Sequence, residues 1–231
     1  MVVSPAESVP QGFWPIDRDS NMQVAGGLKV KLVTYFNVKD LLGKDSPYKD
    51  AFANGVLTHT FLNVNDNHRY YFAVGGTIRE NEILQRNVAL EVAWDGGQGK
   101  YAPLDSAGWQ FSQTLGYVIV DTKQFGLVAL IPMGMAQVSS VNFEDAVQVG
   151  TDHKKGEMLG YFLFGGSDFI MLFQDAAGFQ ITAPATREFR GKPDADHRHP
   201  ALTFKHILMG EEFGRLEGRQ VSRASENPRG R

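Results

Sequence analysis

Residues 160–173 read GYFLFGGSDFIMLF, two apolar runs separated by a glycine pair and a serine, with an aspartate directly after the serine. Gly-Gly-Ser is ordinary turn chemistry, so one reading is a β-hairpin. The other is a site of self-cleavage. A serine that follows glycine can turn its hydroxyl on the preceding carbonyl and convert the peptide to an ester. Glycine favours this because, without a Cβ, it lets the backbone strain and the hydroxyl approach. Elimination then breaks the ester, and hydrolysis leaves a pyruvoyl ketone at the new N-terminus, an electron sink of the kind pyridoxal phosphate provides. Both readings make the flanking runs strands, one ending near residue 164 and the next starting near 168.

Outward from this stretch, short β-rich segments follow one another with turn signals between them. GLKVKLVTYFNV (27–38) at its start and VLTHTFLNV (56–64) alternate apolar and polar positions, as half-buried strands do. KDLLGKDSPYKDAFANG (39–55) is short, polar and helix-like, and NDNH (65–68) is a turn cluster. RYYFAVGGTI (69–78) reads as a strand interrupted by a glycine pair. VALEVAW (88–94), LGYVIVDT (115–122) and GLVALIPMGM (126–135) are further strand candidates, the last apolar enough for burial on both faces. AQVSSVNF (136–143) and AVQVG (146–150) complete the series. Past residue 186 the character changes. REFRGKPDADHRHP (187–200) is polar and loop-like, LTFKHILMGEEFGRL (202–216) has the pattern of one amphipathic helix, and EGRQVSRASENPRGR (217–231) reads as disordered. The expected fold is α+β, mostly antiparallel β with minor helices. One domain is expected over 1–186, with a C-terminal loop, helix and tail over 187–231.

Composition narrows the function classes. The 231 residues are 42% hydrophobic and 11% aromatic, enough for a sizeable core. A net charge of −3 gives no broad pull toward nucleic acid or an anionic membrane. Zero cysteines exclude disulfides, thiolate chemistry and cysteine-based zinc sites. The first residues, MVVSPAESVP, lack the basic start and apolar stretch of a signal peptide, and no window is apolar enough for a membrane helix. A cytoplasmic protein without stable membrane insertion is expected. DADHRHP (194–200) brings carboxylates and imidazoles together in a proline-flanked loop, which reads as solvated rather than as a metal site.

KKGEMLGYFLFGGSDFIMLF (154–173) resembles the processing segment of the phosphatidylserine decarboxylase family, with its lysine-glycine, glutamate, glycine-aromatic step and glycine-serine site between apolar strands. The resemblance continues upstream in order. VVSPAES (2–8) is similar to the family's early acidic motif, and FANGVLTHTFLNVNDNHRYYFAVGGTI (52–78) to the segment with its aspartate-x-histidine-arginine-x-histidine signature. VDTKQFGLVALIPMGMAQVSSV (120–141) is similar to the strand pair that follows. The Ala-Glu-Ser form of the early motif also resembles the branch that decarboxylates free amino acids, fungal tryptophan decarboxylases among them.

The resemblance implies a pyruvoyl-dependent decarboxylase, a carboxy-lyase made as a zymogen. Autocatalytic cleavage between Gly166 and Ser167 would leave a β-chain of residues 1–166 and an α-chain from 167, with Ser167 converted to the pyruvoyl cofactor that engages the substrate amine as a Schiff base. Gly166 donates the attacked carbonyl. His68 assists decarboxylation or protonates the product carbanion, and Glu7 stands where an aspartate orients the processing base. On residue pattern alone, His68 is a turn histidine and Glu7 an exposed N-terminal carboxylate. Three positions depart from the family pattern. Tyr71 replaces the second signature histidine, the expected base on the serine; a phenol with its ordinary pKa of about 10 is a poor base. It is expected instead to line the pocket as a hydrogen-bond donor. Glu7 is one methylene longer than the usual aspartate. Asp168 replaces a small hydroxyl residue and puts a carboxylate beside the cleaved bond.

Family members usually carry an N-terminal helical region before the acidic motif, and here that motif begins within four residues of Met1. Because that region is the one expected to meet membrane, a soluble substrate is expected. Three readings stay open: a decarboxylase of a free amino acid, with aromatic side chains among the candidates; a phosphatidylserine decarboxylase in phospholipid biosynthesis; and a non-processing relative that keeps the fold as a binding module. The expected partner is a small-molecule amine or amino acid and not a nucleic acid, with homo-oligomer formation left open.

Overall fold

The computed structural model describes residues 1–23, 28–30, 33–85, 92–95, 100–103, 114–134, 140–163, 167–187 and 202–218. In chain order the strands begin β1 (Val2–Val3), β2 (Val9–Pro15), β3 (Leu28–Val30), β4 (Val33–Tyr35), β5 (Val56–Leu62), β6 (Arg69–Tyr71) and β7 (Gly76–Leu84). They continue as β8 (Val92–Asp95), β9 (Lys100–Pro103), β10 (Leu115–Asp121), β11 (Leu127–Met133), β12 (Val141–Phe143) and β13 (Asp152–His153). The last are β14 (Met158–Phe162), β15 (Ser167–Phe173), β16 (Phe179–Ile181), β17 (Ala185–Arg187), β18 (Leu202–Phe204) and β19 (Glu212–Leu216). A short α-helix, α1 (Val38–Leu42), starts at a capping box: the Asn37 side chain accepts from Lys39 N–H and the Asp40 side chain from Asn37 N–H. No helix among the described residues is long and apolar enough to cross a membrane.

A seven-stranded antiparallel sheet, ordered β13-β7-β10-β11-β15-β5-β2, forms the centre. Its middle strands lose the polar alternation of a half-buried strand because both of their faces are covered. Val118, Val120, Val128, Leu130, Phe169, Met171 and Phe173 pack into one core cluster. Tyr117, Ile119, Ala129, Ile131, Ile170 and Leu172 pack into the other. The first cluster is closed by residues of two smaller sheets, β12-β14-β6 and β1-β19-β16, through Tyr70, Leu159, Phe162, Val2, Phe179 and Phe213. The second is closed by α1 and its surroundings, through Val38, Leu41, Leu42 and Phe52.

The chain is mostly antiparallel β, as the sequence predicts, but several segments differ. β14 and β15 do not form a hairpin. β14 pairs with β12 and β6 while β15 pairs with β11 and β5, so the chain changes sheets between them. Phe164, Gly165 and Gly166, which lead into the expected cleavage site, lie outside the described residues. Residues 27–38, expected as one strand, contain the paired strands β3 and β4. AVQVG (146–150) forms turns, with Val147 N–H donating to Glu144 O and Thr151 N–H to Gln148 O.

The largest correction is at 202–216. The expected helix is two strands, β18 and β19, separated by a turn in which Gly210 has φ 84°. β19 pairs with β1 on one side and β16 on the other, and its Phe213 is fully buried. Gly214 lies so close to Phe179 that a Cβ there would come within 2.4 Å of the ring. The apolar residues that mimic helical spacing are therefore distributed over two extended segments. DADHRHP and the tail from 219 lie outside the described residues.

Candidate active site

Ser167 opens β15, where the register sets it opposite Leu62 at the end of β5. Just past Leu62 the chain reverses through Asn63–His68 into β6. Local side chains shape this reversal: Asp66 accepts from Asn63 N–H at 2.8 Å, and the Asn67 side chain accepts from Arg69 N–H at 3.1 Å. The reversal carries His68 to the serine, with Nδ1 3.3 Å from Ser167 Oγ.

The other ring nitrogen, Nε2, lies 2.9 Å from the carbonyl oxygen of Asn63. A carbonyl only accepts, so Nε2 holds the proton, and in the neutral ring the Nδ1 lone pair is left facing the hydroxyl. This is a base–nucleophile arrangement, with the slightly long contact common in resting sites. Ser167 is fully buried. Phe162 stands edge-on to the imidazole, its centroid 6.3 Å away, and its N–H donates to the His68 carbonyl at 2.9 Å. Tyr70 packs on Phe162 and donates to the Asn142 carbonyl at 2.6 Å. Burial pushes its phenol far above the ordinary range, so it stays neutral and structural.

Glu7 meets this loop and not the serine. Its Oε2 accepts from Asn67 N–H at 3.2 Å, and its Oε1 is 3.9 Å from Nε2 of His206. That same nitrogen is 3.1 Å from Asp66 Oδ1. Glu7, Asp66 and His206 bring three potential ligand atoms within 4.8 Å of one another, the set among the described residues able to hold a cation. The His206–Asp66 hydrogen bond accounts for that proximity without one. His206 escaped sequence reasoning because its segment reads as a helix, and nothing local ties it to residues 7 and 66. Tyr71 is fixed through its backbone, with its N–H donating to Pro5 O at 2.8 Å. No contact among the described residues brings its hydroxyl to Ser167.

Asp168 is next to Ser167 in sequence but faces the opposite way. Side chains alternate along a strand, so Ser167 shares a face with Phe169, and Asp168 with Ile170. The Asp168 carboxylate lies 3.0 Å from Nε2 of His59, and both side chains are buried. The expected carboxylate beside the cleaved bond is thus directed into the other face of the sheet. Sequence reasoning passed over His59 too. The available signal was one polar residue on an otherwise apolar face of each strand, His59 between Leu57 and Phe61 and Asp168 before Ile170 and Leu172, since buried polar groups require partners.

The family profile described as phosphatidylserine decarboxylase matches residues 1–198. The chain is similar to the decarboxylase iboD of Amanita muscaria, 31% identical over 60% of this chain and 43% of that protein. It is 30% identical to phosphatidylserine decarboxylase proenzyme 2 of rice, Oryza sativa subsp. japonica, over 74% of this chain and 25% of that one. It is 30% identical to the L-tryptophan decarboxylase of Psilocybe cubensis over 59% of this chain and 33% of that protein. The aligned region is thus less than half of each of these relatives.

Proposed function

This chain belongs to the phosphatidylserine decarboxylase family, and from that premise we propose that it is a self-cleaving, pyruvoyl-dependent decarboxylase of a free amino acid. The observation that carries the reading is the buried Ser167 hydroxyl facing the lone-pair nitrogen of His68. His68 Nδ1 takes the hydroxyl proton as Oγ attacks the Gly166 carbonyl carbon, then returns it to the departing amide nitrogen of residue 167, leaving an ester. Loss of the residue 167 Cα proton expels the Gly166 carboxylate, and water converts the resulting enamine to a ketone with release of ammonia. A buried hydroxyl against a single oriented base fits formation of the pyruvoyl group. That group, once present, supplies an electron sink for loss of carbon dioxide from a bound amine. His68 Nδ1, after taking up a proton from solvent, would then deliver it to the substrate carbon, the one proton that replacing the carboxylate consumes. Glu7 and Asp66 hold the loop that carries it, and Phe162 shields one side of the ring from water.

A free amino acid is favoured by the Ala-Glu-Ser motif at residues 6–8 and by the L-tryptophan decarboxylase relative. The rice relative supports phosphatidylserine as the second reading. The cytoplasm is the compartment we assign, in keeping with a chain free of cysteine. A denaturing gel of purified protein tests cleavage: fragments 1–166 and 167–231 should replace the 25.6 kDa chain, with a hydrazine-reactive ketone on the smaller. Carbon dioxide release from free amino acids against phosphatidylserine vesicles then separates the substrates. An intact chain silent toward hydrazine would refute the enzymatic reading and leave a binding module.

A further inference from the structure

Cleavage before Ser167 would place a new chain end at the first residue of a central strand. Chain ends fray, because a terminal residue has backbone pairing on one side only. A reactive group at 167 nevertheless has to stay against His68. The structure offers a fastener directly behind it: the Asp168 carboxylate on the α-chain side of the cut and His59 Nε2 on the β-chain side, 3.0 Å apart. Their side chains are 2% and 8% exposed.

We propose that His59 is a positioning residue, which anchors Asp168 across the cut and so holds residue 167 in register with His68. The inference rests on the self-cleavage reading. Its geometry is that of a diagonal cross-strand pair. In the register Asp168 stands opposite Phe61 and Ile170 opposite His59, so the bond spans β5 and β15 at the end where β15 begins. A slip of β15 by one residue would turn Asp168 toward His68 and Ser167 away from it. The Asp168–His59 bond opposes that slip.

Stability alone does not explain the pair. Two desolvated polar side chains gain little over apolar residues of similar volume, and the best-attested use of such a buried pair is to fix register. On the same face of β15 the following residues, Ile170 and Leu172, are apolar and fully buried. The polar exception is confined to the residue next to the reacting one.

The test compares the full-length chain with a His59→Leu/Asp168→Leu double variant and with His59→Gln, which keeps an N–H donor near the Nε2 position. The double variant should melt at or above the wild-type temperature. In a Ser167→Ala background, amide exchange at residues 167–169 should rise about tenfold while the rest of β15 is unchanged. With Ser167 present, cleavage and kcat should fall about ten- to a hundredfold with KM little altered. His59→Gln should recover most of each loss. Wild-type exchange and rates in the double variant would overturn the proposal. So would a double variant that does not fold, since the pair would then be a stability element, or a His59→Gln variant as impaired as the double. A wild-type chain that stays intact while the variant exchanges faster would refute the cleavage reading and leave the anchor standing.

Discussion

A hydroxyl becomes a nucleophile only if a base lies where its proton leaves, and at Ser167 that place is filled by Nδ1 of His68. Ser167→Ala should therefore remain a single 25.6 kDa chain indefinitely. His68→Gln should cleave about a hundredfold or more slowly, the usual effect of losing a positioned base, with the melting temperature little changed. The loss of intact chain on a denaturing gel over days measures both. Tyr71→Phe keeps the backbone bond to Pro5 and should cleave at the wild-type rate; slower cleavage would show that the phenol takes part in processing. Motif order in the linear sequence singled out Ser167, His68 and Glu7; in the fold His68 meets Ser167, while Glu7 meets the loop through Asn67. His59 and His206 were not singled out, because each meets its carboxylate over more than a hundred residues of chain. The direction of Asp168 was implicit in strand alternation, which sends adjacent side chains to opposite faces.

Among the elements, the small sheet β12-β14-β6 frames the His68 side of the site, since β14 ends beside His68 and β6 begins just after it. Its spacing depends on Gly160, the glycine of the glycine-aromatic step. A Cβ there would sit 1.9 Å from the Asn142 carbonyl oxygen and 2.9 Å from the Tyr70 hydroxyl. Backbone on one side and a buried ring on the other leave no room to yield. Gly160→Ala should cost about 1–3 kcal/mol in urea unfolding, as overpacked interiors do, and should slow cleavage by displacing Phe162 from His68. The central strands β10, β11 and β15 were readable because an unbroken apolar run flanked by turn signals has few other fates. Residues 202–216 were misread because period 2 and period 3.6 patterns coincide over so short a span, and only Gly210 and Gly214 spoke against a helix.

For the whole molecule, carboxylates held by hydrogen bonds and ion pairs predict the acid limit, and the core predicts what cleavage would do to the assembly. The Arg79 guanidinium, hydrogen-bonded to Asp121 at 2.6 Å, holds that carboxyl below its ordinary 3.8. Asp152 is lowered first by the Thr77 hydroxyl and then by Lys123, and Asp17 first by the Asn21 backbone N–H. A carboxyl depressed in the folded state contributes stability that is fully present above its unfolded pKa and lost as pH falls through the folded one. The melting temperature should thus be flat above about pH 5 and decline below about pH 4. Because Asp152 is exposed and Asp121 and Asp17 are only part-buried, salt should shrink the decline, as should Arg79→Met. A melting temperature as high at pH 3 as at pH 6 would contradict this. Cleavage at residue 166 would sever one peptide bond but none of the packing. β15 remains zipped between β11, from Met133↔Asp168 to Val128↔Phe173, and β5, from Leu62↔Ser167 to Val56↔Phe173. Farther along, β19 of the same fragment stays paired with β1 at the start of the other. Separating the fragments would expose Phe169, Met171, Phe173 and Phe213 to water, at about 1.5–3 kcal/mol for each fully buried apolar side chain. The cleaved protein should therefore elute from a sizing column as the uncleaved Ser167→Ala chain does, and separate into two species only in denaturant. Fragments that part under native conditions would show that β15 is not held as its register and burial require.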